Sequence, residues 1–385
     1  MKFAEVFKKL KSLKWHHYIS YVVIAVITLV LFISGDVKMS SAFMLEKIGI
    51  SIILAVSLSF VVGFLGELSL GHAGFMCIGA YLGGKTASLL VGSMGNGILA
   101  LMISVLVGGL CAAAAGLVIG LPALRLKGDY LAIVTLAFGQ ITLIIFQNSS
   151  ASSFGGANGL ATPRFDYRYM YVIIFVFAIL TIAAFQNVIR SKHGRAITAI
   201  RDSEIAARAT GIPVTGYKLF TFVMAAFFAG IAGVLYSYTQ SKVQSVHFGY
   251  GYSIEILVMV VLGGMGSLNG SIAAAALITF LNEKLSTVLT GKLAVLQNIL
   301  YSLILIVIVI YGNAPAFKNF REKYNFKKLA EKLKRKNDPS VISDDGGSWS
   351  RIPTKIKMDE ILSVDVNVNK SRDEDEEKFQ GGGVK

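Results

Sequence analysis

The sequence predicts an all-α protein: a polytopic transmembrane helix bundle of about eight to ten spans, with one short helix in a cytoplasmic loop. Of the 385 residues, 54% are hydrophobic and only 16% are charged. Apolar runs close to the roughly 20 residues that cross a bilayer as a helix recur along the chain. Lysine and arginine collect at the ends of these runs, as is typical of membrane proteins. An ordinary soluble domain and a disordered chain are both excluded.

The composition also limits the chemistry. The two cysteines, Cys77 and Cys111, lie inside apolar runs, which excludes a disulfide framework and a cysteine-rich metal site. The five histidines are scattered, and no H-E-x-x-H or G-x-S-x-G pattern occurs, which disfavours an intramembrane enzyme. The net charge is +14, but the basic residues lie at the ends of the predicted spans, so nucleic acid is not expected as a partner. No cofactor is predicted.

The predicted membrane domain covers residues 1–312. Its first apolar run, 22–33, follows a lysine-rich N-terminus and is interpreted as a retained anchor rather than a cleaved signal peptide. The later predicted spans are 48–65, 72–91, 97–120, 130–147, 169–189, 219–237, 253–263, 271–281 and 294–311. The runs 253–263 and 271–281 are too short to cross alone, which leaves half-helices and broken spans as alternatives there.

The distribution of basic residues predicts the orientation. Lysine and arginine are concentrated in the N-terminus, in 121–128 and in 190–218, and they are fewer in the alternate loops. Because cytoplasmic loops carry an excess of basic residues, both termini are predicted to be cytoplasmic. The tail, 313–385, is first basic, which suits contact with anionic membrane lipid, and then polar and predicted to be largely disordered.

Residues 79–86 match the G-x-x-x-x-G-K-T pattern of a phosphate-binding loop. That loop needs a soluble α/β domain around it, whereas this stretch ends a predicted span on the outer side of the membrane. We therefore interpret Gly79 and Gly83 as a small-residue face that allows close helix packing.

Two glycine-rich connections are candidates for the path of a solute. The link 66–74 joins two predicted spans and contains Glu67, Ser69, Gly71 and His72. Its free backbone groups need a partner, either a substrate or a neighbouring helix. Glu67 and His72 are candidates to pair with each other or to titrate, and a satisfied turn between two spans is the alternative. A second stretch, 155–159, lies in the longest outer loop and is a candidate gate or docking edge, with a plain loop as the alternative. Its candidate residue for the path is Asn158.

The clearest local signal is the cytoplasmic loop 190–218, which predicts a short helix with a stop at each end. Asp202 is the expected N-cap, and Glu204 suits the positive end of the helix dipole. Gly211 is the expected left-handed residue at the C-terminus. Ala206 and Ala207 would leave a small surface into which another protein fits. The alternative is an amphipathic helix that lies on the membrane.

These features resemble the permease subunits of ABC importers for branched-chain amino acids. The spacing from Glu204 through Ala206 and Ala207 to Gly211 is similar to the coupling loop by which such permeases contact their ATPases. Further segments with the same resemblance follow in the same order: 68–73, 125–136, 155–159, 227–233 and 261–267. The resemblance covers about residues 48–312. The sequence differs at Glu67, where these permeases are expected to carry an uncharged residue.

The resemblance implies an importer in the cell's inner or plasma membrane. Its parts would be this permease, a second related permease, two cytoplasmic ABC ATPase subunits and an external solute-binding protein, so the chain itself would have no ATPase site. Ser69, His72 and Asn158 are the candidates to hold the charged ends of a zwitterionic amino acid. Urea or a short amide is the alternative cargo, and a passive channel or secondary transporter is the alternative mechanism.

Overall fold

The structure is a computed structural model that describes residues 39–95, 97–126 and 128–288, together with 302, 303 and 306. The predicted span 22–33, nearly all of the span 294–311 and the tail 313–385 lie outside the described residues.

Helices make up most of the described chain. The first half contains α1 (Met39–Ser59) with a π-helical continuation (Phe60–Leu65), α2 (His72–Ile78), a π-helical stretch (Gly79–Gly83), α3 (Gly84–Met94), α4 (Ile98–Ala123), α5 (Asp129–Gln147), α6 (Ala151–Phe154) and a 3-10 turn (Gly156–Asn158). The second half contains β1 (Leu160–Ala161), α7 (Tyr167–Arg190), α8 (Lys192–Asp202), α9 (Glu204–Ala209), α10 (Val214–Thr239), β2 (Lys242–Val243), a 3-10 turn (Ser245–Phe248), α11 (Tyr250–Gly263) and α12 (Leu268–Val288).

Six helices in the described residues are long and apolar enough to cross a membrane. They are Met39–Leu65, His72–Gly92, Ile98–Ala123, Asp129–Gln147, Tyr169–Arg190 and Val214–Thr239. This confirms the predicted all-α polytopic membrane bundle. The shorter apolar helix Tyr250–Gly263 agrees with the short run predicted at 253–263.

Two predicted spans are longer in the structure than their apolar runs. The span predicted from residue 48 begins at Met39 and includes Glu46, which is buried, and Lys47, which forms an ion pair with Glu283. The helix at the predicted run 271–281 is longer than the run, because α12 has 21 residues, but it is not among the six helices that are long and apolar enough to cross. Its extension contains Glu283, whose charge is compensated by Lys47.

Glycines allow the central helix, α10, to lie close to its neighbours. A side chain at Gly79 would overlap the Gly230 carbonyl, and one at Gly233 would overlap the Met76 carbonyl. Gly230 also faces Ala112 of α4, whose β-carbon would be 2.5 Å from an added Cβ. Gly79 therefore serves close helix packing inside a span, as predicted, and the phosphate-loop pattern has no strand before it here.

The outward faces of α4 and α5 are apolar. Exposed side chains on these faces include Leu106, Leu110, Leu117, Ile133, Ile141 and Ile145. In water such surfaces would be costly, whereas lipid tails suit them. The exposed faces thus agree with a membrane setting.

One short strand pair was not predicted. β1 and β2 are antiparallel, with Leu160 opposite Val243 and Ala161 opposite Lys242. The pair lies just beyond the C-terminus of α10, while α8 and α9 lie just before its N-terminus. We call these two ends of the bundle the strand end and the α8–α9 end.

Candidate functional site

The predicted short helix in 190–218 is the second of two helices, α8 and α9. The prediction of Asp202 as its N-cap is wrong, because Asp202 still belongs to α8. The backbone becomes extended one residue later, at Ser203, whose Oγ accepts a hydrogen bond from the Ala206 amide at 3.3 Å. The Asp202 carboxylate instead pairs with Arg201 at 3.0 Å.

The other end of α9 agrees with the sequence. Gly211 has a φ of +83°, in the left-handed region that suits glycine, and its amide donates to the Arg208 carbonyl.

Of the small surface expected from Ala206 and Ala207, only one residue is exposed. Ala206 is exposed, but Ala207 is 4% exposed and packs inside the chain. The large apolar side chain of α9, Ile205, is 82% exposed.

An ion-pair cluster ties α9 to the link after α1. Lys218, on α10, is 4% exposed and donates to the Glu67 carboxylate at 2.5 Å and to the Glu204 carboxylate at 3.3 Å. Arg208 contacts the other oxygen of Glu204 at 2.9 Å. Glu67 and His72 therefore do not pair with each other, which was one of the alternatives left open by the sequence. His72 lies 2.8 Å from the Ser57 hydroxyl, measured from its Nε2 atom to Oγ.

A second tie runs from α8 to the same region. Arg201 donates from Nη1 to the Gly63 carbonyl at 3.1 Å. Gly66, with a φ of +81°, ends the π-helical stretch, and an added Cβ there would lie 2.7 Å from Arg201 Cγ. Gly63 also faces Gly266, in the turn between α11 and α12. Three parts of the chain thus meet around the Arg201 side chain.

Neighbouring helices satisfy much of the polar link that follows. The Leu70 amide donates to Thr135 Oγ1 on α5 at 3.0 Å, and the Ala73 amide donates to Ser253 Oγ on α11 at 3.1 Å. A side chain at Gly71 would overlap the Thr135 carbonyl. Of the two alternatives for these backbone groups, the structure selects neighbouring helices. Ser69 is buried, and its hydroxyl has no hydrogen-bond partner among the described residues.

The five predicted path residues do not converge. Glu67, Ser69, Gly71 and His72 lie along the link near the α8–α9 end. Asn158 is exposed in the 3-10 turn that precedes β1, at the strand end. Along α5, Thr135 meets the link while Phe146, eleven positions later, stacks on Tyr81 with ring centroids 4.4 Å apart. About 16 Å of helix separates these two levels.

A polar cavity of about 190 Å³ lies among α1, α10, α11 and α12. Charged, polar and apolar side chains line it, including Lys47, Ile50, Met76, Phe248, Glu255, Thr279, Asn282 and Glu283. Lys47 and Glu283 are paired at 2.5 Å, and Asn282 donates to Glu255 at 3.3 Å. The sequence points to Glu283 only as a charge near an apolar run. The grouping was missed because its members are up to 236 positions apart.

Comparison with known proteins decides the family. Residues 41–310 match the family described as the permease component of branched-chain amino acid transport systems. The chain belongs to this permease family. It is therefore a transport component and a multi-pass membrane protein, as the resemblance implied.

Individual members agree over a shorter range. The chain is 35% identical over 288 residues to the high-affinity branched-chain amino acid transport system permease protein LivM of Salmonella typhimurium, and 36% identical over 288 residues to that of Escherichia coli K12. Each alignment covers 65% of this chain and 66% of the relative, so the chain spans just under two thirds of the LivM length. The ribose import permease protein RbsC of Haemophilus influenzae is 30% identical over 126 residues, 31% of this chain and 38% of the relative.

Proposed function

We propose that the chain is a permease subunit of an ABC importer that moves branched-chain amino acids into the cell. In this proposal a second permease, two cytoplasmic ATPase subunits and an external solute-binding protein complete the importer. Membership of the permease family supports it, since such a subunit depends on other proteins for energy. The basic residues around α8 and α9 support a cytoplasmic position for that end, and with it cytoplasmic termini.

The observation that carries the proposal is the exposed helix α9 and its ties to the bundle. It is capped at both ends, presents Ile205 to the surroundings, and is linked through Glu204 and Lys218 to Glu67. An ATPase that pushes on α9 would move a buried cation and the break between two spans. The Arg201 contact with Gly63 provides a parallel connection from α8. Asp202, Glu204, Ala206 and Gly211 would then shape the docking segment, with Ala207 anchoring it to the bundle.

This arrangement favours two discrete packings of the bundle. A packed core resists continuous deformation, so a push at α9 is expected to shift the helices between an inward-open and an outward-open state. The chain would supply the moving bundle, and its partners would supply ATP hydrolysis and capture of the cargo outside.

The test begins with the whole complex. The chain is purified with its neighbours, its partners are identified, and the complex is placed in vesicles with the binding protein enclosed or added on the appropriate side. We expect ATP-dependent, binding-protein-dependent uptake of leucine that exceeds uptake of urea and ribose. Uptake of urea or ribose in preference to leucine would reject the cargo, and uptake that needs no ATP would reject the importer.

Coupling is tested by changing α9 alone. Ile205→Arg places a charge on the exposed apolar side chain and is expected to reduce leucine-driven ATP hydrolysis and uptake at least tenfold. Ile205→Val keeps an apolar surface and serves as the matched control. Glu204→Lys, which reverses a charge beside Lys218, should uncouple ATP hydrolysis from uptake. Normal coupling in both Ile205→Arg and Glu204→Lys would remove α9 from the mechanism.

A further inference from the structure

The cavity among α1, α10, α11 and α12 has the chemistry of a binding site. Its lining contains one cation, Lys47, and two carboxylates, Glu255 and Glu283. Apolar groups, among them Ile50, Met76 and Phe248, form much of its wall, and further polar groups line it as well: Ser51, Tyr236, His247, Tyr252, Thr279 and Asn282. A small ligand with both signs of charge and an apolar side chain would find a complement for each part.

One buried hydroxyl in this wall lacks a hydrogen-bond partner among the described residues. Thr279 is 7% exposed, and its Oγ1 has no hydrogen-bond partner in the described part of the chain. Most buried polar groups in folded proteins are hydrogen-bonded, and leaving one unpaired costs stability. An unpartnered hydroxyl in the wall of a cavity is therefore an independent indication of a ligand.

The charged groups of the cavity have partners within the chain. Lys47 pairs with Glu283, and their side chains are 36% and 26% exposed, respectively. Asn282 donates to Glu255. A zwitterion could insert between Lys47 and Glu283 by exchanging partners, because its carboxylate would face the ammonium and its ammonium would face a carboxylate. Such an exchange leaves no unpaired charge in a partly buried site.

We propose that this cavity is a binding site for a zwitterionic amino acid with an apolar side chain. Lys47 would hold the carboxylate of the ligand, Glu283 or Glu255 its ammonium, and Thr279 one further polar contact. The inference rests on the proposed function, and it moves the expected ligand site away from Ser69, His72 and Asn158. The cavity lies on a different stretch of α1 from the link that contacts α9, so cargo and ATPase would act at separate places.

The sharpest variant is Thr279→Val, which replaces an unpartnered hydroxyl with a methyl group of similar size. If the hydroxyl has no ligand to bind, its removal leaves affinity for leucine unchanged and leaves the empty protein equally or more stable. If it contacts the ligand, we expect the Kd for leucine to rise about tenfold, with no loss of stability in the empty complex. Affinity is measured as the leucine-dependent rise in melting temperature of the purified complex.

Charge specificity is tested on the same complex. Lys47→Met and Glu283→Gln should each abolish the leucine-dependent shift, whereas Lys284→Met, at an exposed neighbouring lysine, should keep it. Isoamylamine and 4-methylvalerate each lack one charge of leucine and should produce little shift. Equal shifts from leucine and from either analogue would overturn the proposal.

A lipid headgroup such as that of phosphatidylethanolamine carries the same two charges. The melting experiment is therefore repeated in nanodiscs of phosphatidylcholine, with and without phosphatidylethanolamine. A shift caused by phosphatidylethanolamine and removed by Thr279→Val, without any effect of leucine, would assign the cavity to lipid and overturn the amino-acid site. If the unmodified complex takes up leucine and the Thr279→Val variant binds leucine with an unaltered Kd, this inference is overturned and the proposed function stands. Absence of leucine uptake by the unmodified complex would reject the proposed function, and this inference with it.

Discussion

At the scale of single residues, Lys218 is the most consequential side chain near α9. It is buried between two carboxylates that belong to different parts of the chain, Glu67 and Glu204. If the ammonium is removed, Glu67 loses its ion-pair partner and Glu204 keeps only its contact with Arg208. The charged residue that departs from the family expectation, Glu67, thus has a structural partner.

Replacing Lys218 with methionine should therefore be strongly destabilising. Breaking a buried ion pair by removal of one partner costs about 3–5 kcal/mol. Arg208→Met also removes a cationic partner of Glu204, but Arg208 is 67% exposed along its side chain, and a cost of about 0–1 kcal/mol is expected. Reversible unfolding in mixed micelles measures both. Equal costs for the two variants would contradict the importance of burial.

Gly66 is a second residue with a defined requirement. Its positive φ is unfavourable for other residues, and an added Cβ would press on the Arg201 side chain. Gly66→Ala should cost about 1–3 kcal/mol in unfolding free energy. Gly92 lies in α3 with nothing within 4 Å of an added Cβ, so Gly92→Ala should be neutral or stabilise by up to about 1 kcal/mol. A destabilising Gly92→Ala with a neutral Gly66→Ala would reverse this interpretation.

At the scale of elements, α8 and α9 show that local sequence signals predict the end of a short helix better than its start. Asp and Ser are both good N-caps, so the stretch Asp202–Ser203 offers two starting points for one helix. Tertiary contacts select the second, because Arg201 extends to Gly63 and keeps Asp202 in α8. The stop at Gly211 needed no such help, since a glycine followed by a proline two residues later ends a helix locally.

The cap of α9 makes a prediction that distinguishes the two residues. Ser203→Ala should lower the opening free energy of α9 by about 0.5–2 kcal/mol, because the Ala206 amide loses its acceptor. Asp202→Ala removes only an exposed ion pair and should change it by about 0–1 kcal/mol. Hydrogen exchange of the Ala206 amide reports both values. Faster exchange in Asp202→Ala than in Ser203→Ala would restore the original assignment.

Two glycines on α10, Gly230 and Gly216, differ in how closely they approach neighbouring helices and allow a matched comparison. Gly230→Ala must displace Ala112 and backbone atoms of α4 and should cost about 1–3 kcal/mol as an overpacked site. Gly216→Ala, in the first turns of the same helix, meets nothing within 4 Å and should be tolerated. Thermal unfolding of the two variants in the same detergent tests the difference, and equal melting temperatures would contradict it.

At the scale of the whole molecule, the sequence predicts which segments cross the membrane better than which residues meet. Hydropathy is a local property, so the spans at 130–147 and 169–189 agree closely with α5 and α7. The contacts of Lys218 with Glu67 and of Lys47 with Glu283 join positions 151 and 236 apart, and no local pattern reveals them.

The strand end offers a whole-molecule prediction. Ala161→Cys combined with Lys242→Cys places thiols at paired positions of β1 and β2. If this end stays fixed during transport, oxidation to a disulfide should leave leucine-driven ATP hydrolysis and uptake within about twofold of the reduced protein. Loss of uptake that returns on reduction would show that the strand pair separates during the cycle. The single-cysteine variants are the controls.

Hydrogen bonds fasten the C-terminal end of α10 at the strand end. Phe165 donates to the Tyr238 carbonyl, and Thr162 donates through its hydroxyl to the Gln240 carbonyl. The opposite end of α10 carries Lys218, which contacts Glu204 of α9. A helix anchored at one end and displaced at the other swings as a lever about 39 Å long. In the proposed coupling the sweep of α10 would be large near Lys218 and smaller near Gly230 and Gly233, so the tightest packing lies in the half of the helix that moves less.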